Sequence, residues 1–188
     1  ALNLALRAIL RPGDCVLTTV FEHSSVVRPV LALKSERNLR VEILPAGPDG
    51  GLSVDSVGAA LTQHRPRLFV FTHASNVTGA LFDAAAFCDL ARRSKAISLL
   101  DSSQTAGLFD IDVGADLVAG SCHKGLHGPP GLGFLTARPE LELPSQKQGG
   151  TGSAVALEVH PDTWPQVFEA GTPNSPAILG CLAALEGI

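Results

Sequence analysis

Lys124 stands in a segment whose composition suits a reactive amine. It follows the apolar run at 116–120 and lies between His123 and His127, at the start of a stretch rich in glycine and proline. Such a stretch is not helical, so Lys124 does not sit on an exposed helix face. A lone lysine in a glycine-rich loop is more often a surface residue. The alternative is an amine that attacks an aldehyde and forms a Schiff base.

A carboxylate with a matching chemical role is found at Asp101, directly after the apolar run at 97–100. An aspartate there can cap the next turn. It can also pair with a buried cation, and the ring nitrogen of pyridoxal phosphate is such a cation. A neighbouring aspartate keeps that nitrogen protonated, so that the ring accepts electrons from a substrate carbanion. With Lys124, this favours a pyridoxal-phosphate site.

Several other polar residues fit such a site, although each one alone has an ordinary structural explanation. His23 is either a capping or core histidine, or a flat ring that stacks on a planar cofactor. Ser121 and His123 flank the lysine and can donate to phosphate oxygens. Asn76 and Gln104 are amides that can hold a phenolic oxygen.

Strand-like and helix-like segments alternate along the chain and define the elements that must position these residues. Short apolar or β-branched runs predict strands at 15–20, 41–46, 67–74, 96–103, 116–123 and 132–137. Apolar residues repeat at three and four positions within 53–64 and 83–96, and both ends of the chain also have helical patterns. We therefore expect an α/β fold with a mostly parallel sheet and helices on both faces.

Polar clusters follow four of the predicted strands. "FEHSS" follows the first strand, "THASN" ends the third, "LLDSSQ" ends the fourth and "GSCHK" ends the fifth. Ligands of parallel sheets bind beyond the carboxyl ends of the strands, so these clusters are expected at one rim. The polar, turn-rich segment 138–148 is interpreted as a surface connection.

Composition favours a small-molecule partner. The chain of 188 residues has a net charge of −4 and no basic stripe, which argues against nucleic-acid binding. No apolar run reaches the roughly 18 residues of a membrane span. The four cysteines, at 15, 88, 122 and 181, form no CxxC pair, which favours a reducing cytoplasm and argues against a zinc site or other metal centre. Cys122 is interpreted as a buried filler.

Taken together, the motifs resemble the class V family of pyridoxal-phosphate enzymes, and most closely its cysteine desulfurase and selenocysteine lyase group. They are "EHSSVVRP", "THASNVTG", "LLDSSQTAG", "GSCHKGLHGPPGLGFL", "GGTGS" and "FEAGTPN", in order along nearly the whole chain. The resemblance implies the large, cofactor-binding domain of a type I, aspartate aminotransferase-like fold over 1–188. Because the sequence has no methionine and ends in a helical pattern, we expect truncation at both ends and a missing C-terminal small domain.

The resemblance also implies roles for individual residues. Lys124 forms the Schiff base with pyridoxal phosphate and moves the substrate Cα proton, and Asp101 pairs with the ring nitrogen. His23 stacks on the ring and assists proton transfers. The phenolic oxygen is held by Gln104 and Asn76, of which Asn76 also contacts the substrate carboxylate.

Two further implications concern phosphate and assembly. Ser121 and His123 bind the phosphate, and Thr172 reaches the phosphate of a neighbouring subunit in a homodimer. The phosphate loop that precedes "ALNLAL" in the family is expected outside this sequence, as are the sulfur-accepting cysteine and the arginine that binds the substrate carboxylate.

The implied reaction converts L-cysteine to L-alanine and passes sulfur to an enzyme cysteine as a persulfide, for a sulfur-acceptor protein in iron–sulfur or thio-cofactor assembly. The alternatives are another class V reaction, namely that of an aminotransferase, epimerase, kynureninase-like hydrolase or selenocysteine lyase, and a non-catalytic scaffold. A nucleotide-binding Rossmann domain is disfavoured because "TTVFEHSS" stands where GxGxxG would follow the first strand.

Overall fold

Helices and strands alternate through most of the chain in the computed structural model, which describes residues 1–151 and 158–187. In chain order the elements are α1 (Leu2–Ile9), β1 (Cys15–Thr19), α2 (Ser24–Arg37), β2 (Arg40–Leu44), α3 (Val54–His64), β3 (Leu68–Thr72), α4 (Ala84–Arg93), β4 (Ile97–Asp101), β5 (Leu117–Ser121), β6 (Gly133–Ala137) and α5 (Ser175–Leu185). A single 3-10 turn, Gln166–Phe168, precedes α5. Among the described helices, none has the length and apolar composition needed to cross a membrane.

The strands form one sheet in the order β2-β1-β3-β4-β5-β6. Neighbouring strands are parallel except β5 and β6, which are antiparallel. Each strand coincides with one of the runs that the sequence marks as strands, and only β2 begins one residue earlier, at Arg40. The prediction of a mostly parallel α/β sheet is therefore confirmed.

Side chains alternate between the two faces of the sheet, and each face is covered by helices. Val16 packs in a core with residues of α1 and α2, whereas the next residue, Leu17, packs with residues of α3 and α4. Fully burying a side chain of this size stabilises the fold by about 1.5–3 kcal/mol. Helices on both faces are thus confirmed, and the carboxyl edge of the sheet is left open.

Helix α2 lies outside the helical segments named from the sequence, and it contains Pro29, which lacks an N–H and disfavours a helix interior. Both ends of the helix are capped. The His23 side chain accepts a hydrogen bond from the backbone N–H of Ser25, and Asn38 ends the helix in the left-handed conformation at φ 50°. The helix therefore starts at Ser24, within the first polar cluster, and fixes the direction of His23.

The segment 138–148 is irregular, in agreement with its interpretation as a surface connection. It is anchored at one point, because Leu143 is buried in the core that includes α1 and α2. The "GGTGS" motif begins in the described part of the chain, but its last two residues, 152 and 153, lie outside the described residues.

Candidate active site

The cavity at the carboxyl edge lies where the strand order reverses. The chain passes from β1 outward to β2 and then returns to place β3 on the other side of β1. Such a reversal opens a crevice between strand ends and is the usual ligand site of open α/β sheets. The cavity has a volume of about 530 Å³. Seven of the eight site residues expected from the sequence line it, namely His23, Asn76, Asp101, Gln104, Ser121, His123 and Lys124.

His23 is both a helix cap and a cavity residue. Its Nδ1 accepts from the Ser25 backbone N–H at 3.1 Å and lies 2.8 Å from the Ser25 hydroxyl oxygen. Because Nδ1 acts as an acceptor, we assign the proton of the neutral ring to Nε2. The two interpretations of His23 from the sequence are therefore compatible: capping orients the ring, and the ring borders the cavity.

Asp101 is the last residue of β4, only 3% exposed, and its carboxyl group borders the cavity. One oxygen, Oδ1, accepts from the backbone N–H of Ser103 at 3.0 Å, so the turn after β4 orients the carboxylate. Among the described residues, no lysine, arginine or histidine forms an ion pair with it. A buried carboxylate without a cation is a group suited to pairing with a cationic ligand.

The turn after β4 is tied to the strands on both sides. The Ser102 hydroxyl donates to the carbonyl oxygen of Ala119 on β5 at 3.0 Å. On the other side, Nδ1 of His73 lies 3.0 Å from the Thr105 hydroxyl oxygen. Burial lowers the pKa of His73, which favours its neutral form. Gln104, which lies within this turn, is therefore presented by a fixed backbone.

Lys124 lies in a closed loop that leaves β5. At the base of the loop, the Cys122 N–H donates to the Leu132 carbonyl at 3.1 Å and the Gly128 N–H donates to the Cys122 carbonyl at 2.7 Å. Lys124 is half-buried and lines the cavity. Within the described residues no carboxylate pairs with it. Lys124 thus borders the cavity, and within the described residues no salt bridge holds its amine.

Two glycines bring the Lys124 loop and the turn after β4 into backbone contact. A Cβ atom at Gly125 would lie 2.5 Å from the carbonyl oxygen of Ala106, and one at Gly107 would lie 2.4 Å from the carbonyl oxygen of Gly125. Neither distance is tolerated by real side chains. Gly107 also has φ +86°, which favours glycine. The contact fixes Lys124 relative to Gln104.

Ser121 supplies a direct test of whether the cavity fits a phosphorylated cofactor. The residue lines the cavity, and its hydroxyl oxygen is buried with no hydrogen-bond partner among the described residues. A buried polar atom without a partner costs free energy unless a ligand satisfies it. The cavity is lined by residues that carry a hydroxyl, an amine and a buried carboxylate. These groups match a ligand that carries a phosphate, an aldehyde and a protonated ring nitrogen. The residues present therefore fit pyridoxal phosphate.

Thr172 is not brought to this cavity. It is exposed and lies between the 3-10 turn and α5. Its expected contact is with the phosphate of a neighbouring subunit, so its position in one chain leaves that role a prediction.

Glu22 is a half-buried acid that the sequence reasoning missed, although it precedes His23 in "FEHSS". Its Oε1 accepts from the Thr19 hydroxyl at 2.6 Å and from the Thr72 N–H at 3.1 Å, while Oε2 is buried without a partner. Burial raises the pKa of Glu22 to about 8; the hydrogen bonds from Thr19 and Thr72 oppose this rise and the charge of Asp101 adds to it. The available signal was an acid that closely follows a buried strand.

All four cysteines are buried free thiols. Burial, together with a hydrogen bond and the charge of the neighbouring Cys181, raises the pKa of Cys122 to about 11. A thiol with that pKa is almost entirely protonated at neutral pH and is a poor nucleophile. The expected burial of Cys122 is confirmed, and its role as a filler stays a prediction.

The fold is that of a pyridoxal-phosphate enzyme of the aminotransferase type. The family model "Aminotransferase class-V" matches residues 1–188, and the chain belongs to that family. Among curated relatives, the cysteine desulfurase of Salmonella newport (strain SL254) is 34% identical over 185 residues, which cover 94% of this chain and 45% of the relative.

Solved structures give the same result. The apo cysteine desulfurase of Thermococcus onnurineus NA1 superposes with a TM-score of 0.87 and 29% identity, covering 99% of this chain and 48% of that chain. The Escherichia coli cysteine desulfurase CsdA superposes with a TM-score of 0.85 and 28% identity, covering 99% of this chain and 49% of that chain. The aminotransferase-like fold is therefore confirmed, and the chain spans about half the length of the relatives it matches.

Proposed function

We propose that this chain is the cofactor-binding large domain of a pyridoxal-phosphate-dependent cysteine desulfurase. The observation that carries the proposal is the placement of Asp101 and Lys124 on neighbouring strand ends, around a cavity with an unpartnered Ser121 hydroxyl. The similarity to cysteine desulfurases supports the choice among class V reactions. When bound, pyridoxal phosphate supplies an electron sink that stabilises a carbanion at the substrate Cα.

Lys124 has two tasks in this proposal. Its amine would hold the cofactor aldehyde, and the same amine would move the substrate Cα proton. Both tasks need an amine that no carboxylate engages, and among the described residues none pairs with Lys124, which lines the cavity.

Asp101 and His23 hold the ring between them. The Asp101 carboxylate accepts a hydrogen bond from the protonated ring nitrogen and maintains its charge. The imidazole of His23 stacks on the ring face and, with the proton on Nε2, assists proton transfer. Capping of α2 by Nδ1 leaves Nε2 available for this work.

The remaining residues bind the ends of the cofactor. Ser121 and His123 donate to the phosphate, and Gln104 holds the phenolic oxygen. Asn76 contacts that oxygen and the substrate carboxylate. Thr172 donates to the phosphate of the second subunit in a homodimer.

The sulfur step requires a further thiol. An enzyme thiolate attacks the substrate sulfur, the carbon–sulfur bond breaks, and the products are an enzyme persulfide and, after protonation of the carbon, L-alanine. The burial of all four cysteines supports assigning this thiol to another segment of the protein. A sulfur-acceptor protein, as in iron–sulfur cluster assembly, then removes the persulfide sulfur. Free thiols throughout also support a reducing compartment such as the cytoplasm.

The test is product analysis with L-cysteine and a thiol reductant. We expect equal amounts of L-alanine and sulfide from the full-length protein, with no product from its Lys124→Ala variant. Formation of a keto acid without sulfide would favour an aminotransferase, and formation of D-cysteine would favour an epimerase. Turnover of selenocysteine but not of cysteine would favour a selenocysteine lyase. Absence of any cofactor-dependent product, with native folding, would favour the non-catalytic alternative and contradict the proposal.

A further inference from the structure

Glu22 occupies the gap that opens between β1 and β3 at the carboxyl edge. The two strands pair at Val16–Leu68 and Leu17–Phe69, and in the described strands the ladder goes no further. By contrast, β3 and β4 remain paired to their ends, at Thr72–Asp101. The end of β1, which leads to His23, is therefore separated by this gap from the end of β3, whose neighbour β4 carries Asp101.

The Glu22 carboxyl takes the place of the missing strand partner. The His73 N–H donates to the Asp101 carbonyl on β4. Because successive N–H groups of a strand point to opposite sides, the Thr72 N–H points toward β1. There it donates to Oε1 of Glu22 at 3.1 Å. The same oxygen accepts from the Thr19 hydroxyl at the end of β1, so one carboxyl oxygen joins both strand ends.

The surroundings of the second oxygen of Glu22 indicate whether the carboxyl group is charged or neutral. Oε2 is buried and has no hydrogen-bond partner among the described residues. Leaving a negative charge on an unsatisfied buried oxygen is costly, and Asp101 already places one negative charge nearby. Of the groups around the carboxyl, Thr19 and Thr72 do not titrate at neutral pH, and the neighbouring His23 is exposed. We therefore assign a proton to Oε2 at neutral pH, in agreement with the raised pKa of Glu22.

We propose that Glu22 is a positioning residue, held between β1 and β3 as a neutral carboxylic acid. It fixes the strand ends that lead to His23 and Asp101. Because it is neutral, it also leaves Asp101 as the single anion among the described residues at the base of the cavity. This inference rests on the proposed function, because Asp101 matters to the chemistry only if it faces the cofactor nitrogen. An ionised Glu22 would place a second negative charge beside Asp101 and alter the proton affinity of whatever Asp101 binds.

The first test uses the Glu22→Gln variant, whose amide keeps the carbonyl acceptor for Thr19 and Thr72 but does not ionise. The full-length wild type and the variant are first loaded with cofactor. One portion of each is reduced with borohydride, which traps the cofactor on Lys124. A second portion is titrated from pH 6 to 9, and the visible absorption of the bound cofactor is recorded. We expect equal trapping at pH 7 and an absorption step near pH 8 in the wild type that the variant lacks. The exposed Glu140→Gln change is the matched control and should keep the step.

The second test does not depend on cofactor. In the unfolded chain Glu22 ionises near pH 4.5 and in the folded chain near pH 8. Between these values the unfolded state loses the proton first, so the folding equilibrium constant should fall with rising pH by up to about tenfold per pH unit. Urea titrations from pH 5 to 8 should show this additional slope in the wild type and in Glu140→Gln, but not in Glu22→Gln.

A third variant separates position from charge. Glu22→Ala removes the acceptor that joins Thr19 to Thr72, so cofactor retention should weaken by about tenfold, the size expected for loss of one buried hydrogen-bonding group. Glu22→Gln should restore it. If Glu22→Ala does not fold, the comparison of wild type, Glu22→Gln and Glu140→Gln decides.

The outcomes distinguish the two proposals. Wild-type protein that traps no cofactor on Lys124 would overturn the proposed function and the positioning role with it. Normal trapping with identical absorption and urea titrations in wild type and Glu22→Gln would overturn the role of Glu22 alone.

Discussion

The two edges of the sheet carry cavities of similar size, about 610 Å³ at the amino edge and about 530 Å³ at the carboxyl edge. The amino-edge cavity is lined by four cations, Arg40, Arg65, Arg67 and Lys95. Their charges have structural explanations. Arg67 pairs with Asp14 at 3.2 Å and Arg40 with Glu42 at 3.7 Å.

The other two cations at the amino edge sit at helix ends. Arg65 is the C-cap of α3, and Lys95 follows the C-cap of α4. Cations there are stabilised by the helix dipole. At the carboxyl edge, Asp101 is instead buried without a cation and the Ser121 hydroxyl is buried without a hydrogen-bond partner among the described residues.

This difference shows that neither cavity volume nor charge identifies the site in this molecule. The carboxyl-edge cavity instead combines a buried carboxylate that has no cation with a buried hydroxyl that has no hydrogen-bond partner among the described residues. Folding leaves such groups at a cost that a ligand can offset. The predictions below test this contrast by pairing each change at the carboxyl edge with a similar change elsewhere.

The largest effect is expected for Asp101→Asn. Breaking a buried ion pair by removing one partner costs about 3–5 kcal/mol, which corresponds to roughly a 100-fold to 1,000-fold loss. We expect a loss of that size in the cofactor-dependent rate, measured with L-cysteine. The matched amino-edge change, Asp14→Asn, should leave the rate unchanged, and an equal loss in both variants would remove the contrast between the edges.

Gly125→Ala should have the next largest effect. The added Cβ would lie 2.5 Å from the Ala106 carbonyl, so the Lys124 loop must move away from the turn after β4. Overpacking of this kind costs about 1–3 kcal/mol in unfolding free energy. Urea denaturation should show it, together with weaker cofactor trapping. Gly150→Ala, where no atom lies within 4 Å, is the control, and equal stability of both variants would refute the close contact.

Cys122→Ala tests whether the buried thiol beside Lys124 takes part in chemistry. Because its pKa is about 11, only about one molecule in ten thousand is ionised at pH 7, and alkylation by iodoacetamide should be slow and accelerate as pH rises. We expect sulfide release within about twofold of wild type, since the change removes only packing. Loss of sulfide release in a folded variant would make Cys122 the sulfur acceptor.

The smallest effect is expected for Arg67→Gln at the amino edge. The change removes the ion pair with Asp14 and a hydrogen bond to the Ile9 carbonyl at 2.9 Å. Partly exposed pairs of this kind contribute about 0.2–1 kcal/mol. The free energy of unfolding, measured by urea denaturation, should fall by that amount, while cofactor trapping on Lys124 stays the same. A clear loss of trapping would show that the amino edge also contributes to the site.

Local patterns in the sequence were sufficient for the strands. The runs at 67–74 and 96–103 contain β3 and β4, because short apolar runs bounded by polar clusters favour buried parallel strands. The sequence did not predict the strand order or the antiparallel β6, since these depend on contacts between distant segments. Helix α2 was missed because Pro29 argues against a helix, whereas its two caps are visible only in three dimensions.

For the site, the residues that the structure gathers are those with polar side chains at strand ends, such as Asp101 and Lys124. Glu22 was missed because an acid beside a histidine resembles a solvated pair in sequence. Only the gap between β1 and β3 explains its burial. The contact of Gly107 with Gly125 was likewise not predictable, since it joins two motifs through their backbones.

The most direct test of the account is to incubate the purified full-length protein with pyridoxal phosphate, reduce with borohydride and locate the modified lysine by peptide mass spectrometry. Stoichiometric labelling at Lys124 alone, abolished in Lys124→Ala and unaffected by Lys95→Ala, is the predicted result. Labelling scattered over Lys34, Lys95 and Lys147, and unchanged in Lys124→Ala, would contradict the claim that the carboxyl edge of this sheet forms a cofactor site.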